Sequence, residues 1–276
     1  MRANHVRRRL ATGEPSIGTW LSLPSPEAAE YVSRLGFDWL VVDTEHNPVD
    51  IRTLAQMFAA MAASTTAPMV RIPWNSPENF KRVLDAGAWG VVVPMVNSRE
   101  EAEQAVSAAR YFPDGTRSVG GGRFPMSFDT GAEEYFRNAN DQVLVVLQIE
   151  HIRGVENADA ILSVPGVDAC FIGPNDLALG CGHGRSTYRD SVDVEHLIQH
   201  IITTCRAAGV VAGLHCSDAE MAVHWAGRGA RLLTVGHDTS LLRAAAAQTW
   251  STLESSVGVA ARRGTGENTR PGGQGD

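Results

Sequence analysis

Short apolar runs recur along the chain, and each is bounded by glycine, proline or polar turn residues. Runs that are apolar throughout, without alternation, are typical of parallel strands that are buried on both faces. They predict eight strands, over residues 17–21, 39–42, 69–72, 91–93, 143–149, 169–172, 210–214 and 232–235.

Helical patterns separate most of these strands. Ser76, Pro77 and Glu78 provide an N-cap, a proline at the first helical position and an acidic first turn. Gly36 and Gly209 follow two of the helical patterns and are expected at the position just after a helix. The predicted helices cover residues 27–35, 51–63, 76–86, 98–109, 194–208 and 217–228.

Strand–helix alternation repeated eight times favours a parallel sheet with right-handed crossovers. A (β/α)8 TIM barrel of about 250 residues fits the length of 276 residues. We therefore predict one barrel domain over residues 1–261, with an N-terminal helix and a C-terminal helical segment. Residues 262–276 lack apolar side chains and are predicted to be a disordered tail. An open doubly wound sheet is the alternative, but no GxGxxG motif follows the first strand.

Residues 111–140 interrupt the regular alternation between the fourth and fifth strands. They hold three consecutive glycines, Gly120 to Gly122, and many polar residues. Loops of this length inside a domain are usually functional. We expect this segment to contribute to the rim of an active site.

Composition excludes several classes of function. The net charge of −7 offers no general attraction to nucleic acid or to an anionic membrane. The basic N-terminus is not followed by the apolar region of a secretory signal, and no run approaches the roughly 20 apolar residues of a membrane span. The four cysteines have no metal-ligand spacing, which favours reduced thiols and a cytoplasmic protein.

Candidate catalytic residues follow the predicted strands. Glu150 and Asp176 each come after an apolar run, and chemistry in parallel α/β folds is found where strands end. Two carboxylates at neighbouring strand ends could bind a divalent metal, Mg²⁺, Mn²⁺ or Co²⁺. The only lysine, Lys81, lies within a predicted helix, so a Schiff-base mechanism is disfavoured.

Two further strand ends carry polar residues of the same kind. Arg71 could bind a substrate carboxylate or oxyanion, and the alternative is an ion pair with Asp43 or Glu45. His46 is a candidate general base, because histidine titrates near neutrality, and Asp43 could orient it. His183, His215 and His237 are isolated histidines that indicate no function by themselves.

These residues fall within motifs of a known family. They are spread over the chain from about Gly18-Thr19-Trp20 to Asp238-Thr239-Ser240. The six motifs are Phe37 to His46, Val70 to Pro73, Leu84 to Ala88, Val93 to Met95, Gln148 to Glu150 and Gly173 to Leu177. The chain thereby resembles the HpcH/HpaI aldolases, class II pyruvate-dependent aldolases of 4-hydroxy-2-oxo acids.

The resemblance implies a role for each matching residue. Glu150 and Asp176 would ligate the metal, and Arg71 would stabilise the enolate oxygen. His46, supported by Asp43, would move the proton of the 4-hydroxyl group. The remaining implied site residues are Gln148 beside Arg71, Gly173 and Pro174 at the pyruvate carboxylate, Trp20 and Arg123 around the substrate, and Asp85 from across a subunit interface.

The resemblance also implies a homo-oligomer, a hexamer or trimer, that binds pyruvate and an aldehyde. The bulky segment from Arg123 to Phe128 suggests an aldehyde pocket of altered shape. Three alternatives stay open: decarboxylation of oxaloacetate at the same site, a citramalyl- or malyl-CoA lyase, and a barrel that binds 2-oxo acids without catalysis.

Overall fold

Eight parallel strands form the centre of the protein in a computed structural model that describes residues 1–257. They are β1 (Ser16–Leu21), β2 (Trp39–Asp43), β3 (Ala67–Arg71), β4 (Gly90–Val93), β5 (Leu144–Ile149), β6 (Ala169–Ile172), β7 (Val211–Cys216) and β8 (Leu232–His237). Each strand pairs with the next in sequence, and β8 pairs with β1 to close the barrel. The predicted (β/α)8 barrel is confirmed.

Of the described helices, the first precedes β1, the last follows β8, and those between connect successive strands on the outside of the barrel. The helices are α1 (His5–Ala11), α2 (Pro26–Ser33), α3 (Ile51–Met61), α4 (Pro77–Asp85), α5 (Arg99–Ala109), α6 (Phe124–Ser127), α7 (Ala132–Gln142), α8 (Ile152–Glu156), α9 (Ala158–Leu162), α10 (Pro174–Gly180), α11 (Val192–Ala208), α12 (Ala219–Gly227) and α13 (Asp238–Val257). The segment 111–140 therefore contains α6 and most of α7, and is not a single long loop.

The strands are apolar throughout because both of their faces are buried. Along β2, Val41 packs inside the barrel with Phe171, while Leu40 and Val42 pack against the surrounding helices. Inside the barrel, a Cβ at Gly18 would lie 2.5 Å from the Trp39 ring, so glycine makes room for that large side chain. Alternate residues thus fill two different cores, which explains the absence of a polar–apolar alternation.

The described chain divides into two units. The first comprises Met1–Thr239, and the second comprises Ser240–Asp276, of which helix α13 is described as far as Val257. The predicted disordered tail, residues 262–276, lies outside the described residues. Within residues 1–257, none of the helices has the length and apolar character needed to cross a membrane. The four cysteines form no disulfide with one another.

Candidate active site

A cavity of about 120 Å³ lies at the carboxyl ends of the strands. It brings together seven of the residues singled out by the sequence, which come from five strands or the loops after them. Its lining residues are Trp20, His46, Arg71, Gln148, Gly173, Pro174, Asn175, Asp176, His215 and His237.

Glu150 lies at the end of β5 and is 3% exposed. Its Oε1 accepts a hydrogen bond of 3.0 Å from the Met95 amide, and its Oε2 accepts one from Gln148 Nε2. Burial raises the pKa of Glu150 to about 7 and outweighs the Met95 hydrogen bond; the charges of Asp176 and Glu45 raise it further. Asp176 is exposed, so the pair joins one buried carboxylate to one that faces solvent.

Gly173 makes the close approach of β5 and β6 possible. A Cβ at this position would lie 2.5 Å from Glu150 Oε2 and 2.8 Å from Gln148 Nε2. The other side-chain atom of Gln148, the acceptor Oε1, is buried and has no hydrogen-bond partner in residues 1–257. Any side chain at position 173 would therefore displace the two groups beside the carboxylate pair.

Two carboxylates hold Arg71. Its Nε and Nη2 donate to the two oxygens of Asp43 at 2.9 and 2.8 Å, and its Nη1 lies 3.1 Å from Glu45 Oε2. Burial alone raises the pKa of Asp43, but the hydrogen bonds and charge of Arg71 outweigh it and lower that pKa. The ion pair considered as an alternative for Arg71 is present, and it fixes the guanidinium where it lines the cavity.

His46 lies three residues beyond β2, and its side chain is 65% exposed. Asp43, which the sequence suggested as its partner, directs its side chain to Arg71 because the two residues are in register on β2 and β3. Glu45 is the carboxylate beside the imidazole, at 3.7 Å. Burial raises the pKa of Glu45. The structure thus pairs the histidine with a different neighbour from the one predicted.

Sequence reasoning missed two histidines of the cavity. His215 and His237 lie at the ends of β7 and β8, with ring centroids 4.8 Å apart. Trp20 packs edge-to-face on His215 at 6.0 Å, and the Arg71 guanidinium lies 4.5 Å from the Trp20 ring. The signal was available, because His215 directly follows the apolar run 210–214, as Glu150 follows its own run, and His237 follows the run 232–235 after a single glycine.

Two of the predicted site residues lie elsewhere in this chain. Asp85 ends α4, ahead of β4, and accepts a hydrogen bond of 3.0 Å from Arg117. Arg123 donates its backbone amide to Asp85 and lines a separate cavity of about 220 Å³ beside Pro68 and Trp89. Because Pro68 and Trp89 are at the amino-terminal ends of β3 and β4, this cavity is at the opposite end of the barrel from Arg71 and Glu150.

The candidate metal ligands are a pair and not a larger cluster. In the part of the chain that the structure describes, no group of three or more His, Cys, Asp or Glu side chains has a metal-binding arrangement. A site with two protein carboxylates leaves coordination positions for water and for substrate oxygens, as Mg²⁺ prefers.

Comparisons with known proteins point to one family. The model of the HpcH/HpaI aldolase/citrate lyase family matches residues 16–245. A 5-keto-4-deoxy-D-glucarate aldolase of Escherichia coli O6:H1 is 39% identical over 246 residues, which are 88% of this chain and 93% of the relative. A crystal structure of a family protein from Burkholderia cenocepacia J2315 superimposes with a TM-score of 0.85 at 37% identity, covering 91% of this chain and 99% of the other. An HpcH/HpaI aldolase from Desulfitobacterium hafniense DCB-2 has a TM-score of 0.83 at 30% identity, with coverage of 90% and 96%.

Proposed function

Because the chain belongs to the HpcH/HpaI aldolase/citrate lyase family and is a carbon–carbon lyase, we propose that it cleaves a 4-hydroxy-2-oxo acid to pyruvate and an aldehyde with the help of a divalent metal. The observation that carries the proposal is that Arg71 and Asp176 line one cavity at the carboxyl end of the barrel, while Glu150 is hydrogen-bonded to Gln148 in the wall of that cavity and is close enough to Asp176 and Arg71 for their charges to affect its pKa. Two oxygen donors beside a fixed guanidinium suit a substrate whose oxygen becomes negative during the reaction.

The name of the Escherichia coli relative supports this substrate class. The acid 5-keto-4-deoxy-D-glucarate carries a keto group next to a carboxylate, a CH₂ group beside it and a hydroxyl on the following carbon. Numbered from that carboxylate, it is a 4-hydroxy-2-oxo acid.

Glu150 and Asp176 would hold the metal. The raised pKa of Glu150 reflects a buried carboxylate among like charges, and a divalent cation would compensate both effects. The carboxylate pair and the free acceptor Oε1 of Gln148 are hard oxygen donors that suit Mg²⁺, Mn²⁺ or Co²⁺. When bound, the metal supplies positive charge that stabilises the 2-oxo oxygen as negative charge develops on it.

The side chains of this chain would carry out the remaining steps. Arg71, held by Asp43, binds the 2-oxo oxygen and adds its charge. His46 takes the proton of the 4-hydroxyl as the C3–C4 bond breaks, so that the aldehyde carbonyl forms. The electron pair of that bond is shared between C3 and the 2-oxo oxygen, and C3 then takes up a proton to give pyruvate.

The deciding experiment removes and restores the metal. Pyruvate release from a panel of 4-hydroxy-2-oxo acids is measured after chelator treatment and after addition of Mg²⁺, Mn²⁺ or Co²⁺. We expect turnover only with metal, and its loss in Glu150→Gln. Glu133→Gln is the matched control, because Glu133 is exposed on α7. Turnover that persists after complete metal removal would contradict the mechanism.

We further propose that Asp85 and Arg123 act in the cavity of a neighbouring copy of the chain, as part of a homo-oligomer. Both are at the far end of their own barrel from Arg71, so neither can reach the cavity of its own chain. Asp85 is predicted to act across a subunit interface, and Arg123, whose backbone amide donates to Asp85, would then do the same. Mixing inactive Asp85→Asn protein with inactive Glu150→Gln protein tests this. Shared sites would restore part of the activity through mixed pairs, whereas sites confined to one chain would restore none.

A further inference from the structure

Arg117 is a charged side chain enclosed within the protein, beside the end of α4. Its side chain is 0% exposed. The guanidinium lies among three aromatic rings, 4.6 Å from the centroid of Tyr111, 5.7 Å from that of Tyr135 and 5.8 Å from that of Phe124. Removing an ionised group from water is costly unless the group is paired, so the partners of Arg117 indicate what its burial achieves.

Two polar groups accept hydrogen bonds from Arg117. Its Nη2 donates to Asp85 Oδ1 at 3.0 Å, and its Nη1 donates to the Tyr135 hydroxyl at 3.0 Å. Tyr135 is fully buried on α7. Because the guanidinium is planar and its donors have fixed directions, contacts through both terminal nitrogens leave it a single orientation. The buried arginine thus sets the direction of the Asp85 carboxylate.

The other carboxylate oxygen of Asp85 is uncovered. Oδ2 accepts no hydrogen bond from residues 1–257, and the side chain is 20% exposed. A Cβ at Gly120 would lie 2.9 Å from this oxygen, so glycine leaves it accessible. The carboxylate therefore has one oxygen fixed by its own chain and one available to a group from outside that chain.

The glycine-rich segment fixes the main chain of Asp85 as well. The Arg123 amide donates to the Asp85 carbonyl oxygen at 2.7 Å. A Cβ at Gly122 would lie 2.3 Å from the same carbonyl oxygen, so this close approach requires glycine. Both the main chain and one carboxylate oxygen of Asp85 are thus held in place, and only Oδ2 is left for a further contact.

We propose that Arg117 is a positioning residue, which holds the Asp85 carboxylate in the orientation that lets Oδ2 act in the active site of a neighbouring copy of the chain. The inference rests on the proposed function and on the proposal that Asp85 acts across a subunit interface. Arg117 does not line the active-site cavity of its own chain, so its effect on the reaction passes through Asp85.

Arg117→Met tests this role, because methionine fills the space with a flexible uncharged side chain. The Asp85 carboxylate stays in contact with water, but its direction is no longer fixed. We expect kcat/KM for cleavage in the presence of Mg²⁺ or Mn²⁺ to fall about 10- to 100-fold, the effect of losing one hydrogen bond to a charged group. Arg117→Lys keeps a charge and should recover part of the loss. Arg137→Met, at an exposed position of α7, is the matched control.

Mixed oligomers distinguish positioning of Asp85 from a general structural role. Arg117→Met is coexpressed with Glu150→Gln or with Asp85→Asn, and oligomers that carry the tags of both chains are isolated. With Glu150→Gln, some sites combine an intact cavity with a well-placed Asp85, and activity should exceed that of either parent. With Asp85→Asn, neither chain supplies a well-placed Asp85, and activity should stay at the level of the parents.

The outcomes separate this inference from those on which it rests. Restoration of activity with Asp85→Asn, or wild-type activity of Arg117→Met alone, would overturn the role of Arg117. No restoration between Asp85→Asn and Glu150→Gln would overturn the shared site and this inference with it. Absence of turnover in the metal-loaded wild-type protein would overturn the proposed function itself.

A second variant keeps the test decisive if melting curves show that Arg117→Met is unfolded. Tyr135→Phe removes the hydroxyl that accepts from Arg117 and leaves the ring in place. We expect a smaller loss of kcat/KM and the same pattern in the two mixtures, with restoration by Glu150→Gln and none by Asp85→Asn. The opposite pattern would overturn the inference.

Discussion

Asp43 and Arg71 lie directly opposite each other on β2 and β3, and their side chains form a two-point ion pair with distances of 2.9 and 2.8 Å. The pairing follows from the register, because residues opposite each other on neighbouring parallel strands point to the same side of the sheet. A guanidinium that already makes two hydrogen bonds to one carboxylate loses little further conformational freedom when a substrate oxygen binds.

The first prediction concerns this pair. Asp43→Asn keeps the shape of the side chain but places an NH₂ group against Arg71, so one of the two acceptor oxygens at position 43 is lost. We expect kcat/KM for retro-aldol cleavage to fall by about 10²–10³-fold, as when a preorganised oxyanion donor is lost. Steady-state kinetics check this, with Asp141→Asn, an exposed residue in the last turn of α7, as the control. Unchanged kinetics would show that Arg71 needs no help from Asp43.

The second prediction concerns Gly173. Gly173→Ala adds a Cβ 2.5 Å from Glu150 Oε2, and the carboxylate must move. We expect the dissociation constant for Mn²⁺ to rise by about tenfold or more, since a 1.4 kcal/mol loss already gives tenfold. Isothermal titration calorimetry measures it. Gly131→Ala is the control, because a Cβ there meets nothing within 4 Å. Equal affinity in both variants would contradict a metal site at Glu150.

The third prediction concerns pH. Burial raises the pKa of Glu150 to about 7 in the metal-free protein, so the carboxyl group is protonated below that pH. A metal ion must then displace a proton, and its apparent dissociation constant should increase about tenfold for each pH unit below 7 and level off above it. Mn²⁺ titrations between pH 5.5 and pH 8.5 test this. In Glu150→Gln binding should be weaker, and this pH dependence should disappear.

The fourth prediction separates cleavage from decarboxylation. His46→Ala removes the base for the 4-hydroxyl proton, so cleavage of a 4-hydroxy-2-oxo acid should slow by about 10²–10⁴-fold. Oxaloacetate has no such proton, and its decarboxylation should persist at the same site. Both rates are measured on one protein preparation, with His200→Ala as the control. Parallel loss of both activities would mean that His46 serves the shared step and not proton transfer from the hydroxyl.

The sequence predicted the fold and seven of the ten residues that line the cavity, for a physical reason. A strand that is buried on both faces appears in the sequence as an apolar run, so the residue at which the run ends can be identified. Glu150 and Arg71 were found in this way. His215 and His237 obey the same rule. The sequence analysis assigned them no role, because an isolated histidine does not indicate one particular function. Only the ring contacts in the structure show that the two histidines share a cavity.

Other features were outside the reach of a single sequence. The partner of Asp43 depends on strand register, which apolar runs locate only to within a residue or two. Met95 has a φ of 53°, a left-handed conformation that glycine normally signals, so nothing in the sequence marked its amide as a donor to Glu150. The placement of Asp85 and Arg123 relative to a second copy requires the assembly.

The Met95 contact has a consequence for how this enzyme could change over time. A main-chain amide binds Glu150, so every amino acid except proline preserves the bond, whatever its side chain. The residue at position 95 can therefore change in evolution or in saturation mutagenesis, and the ionisation of the Glu150 carboxylate does not depend on which side chain is present there. Selected libraries at this position should be depleted of proline and enriched in glycine and asparagine, which tolerate the left-handed backbone at least cost.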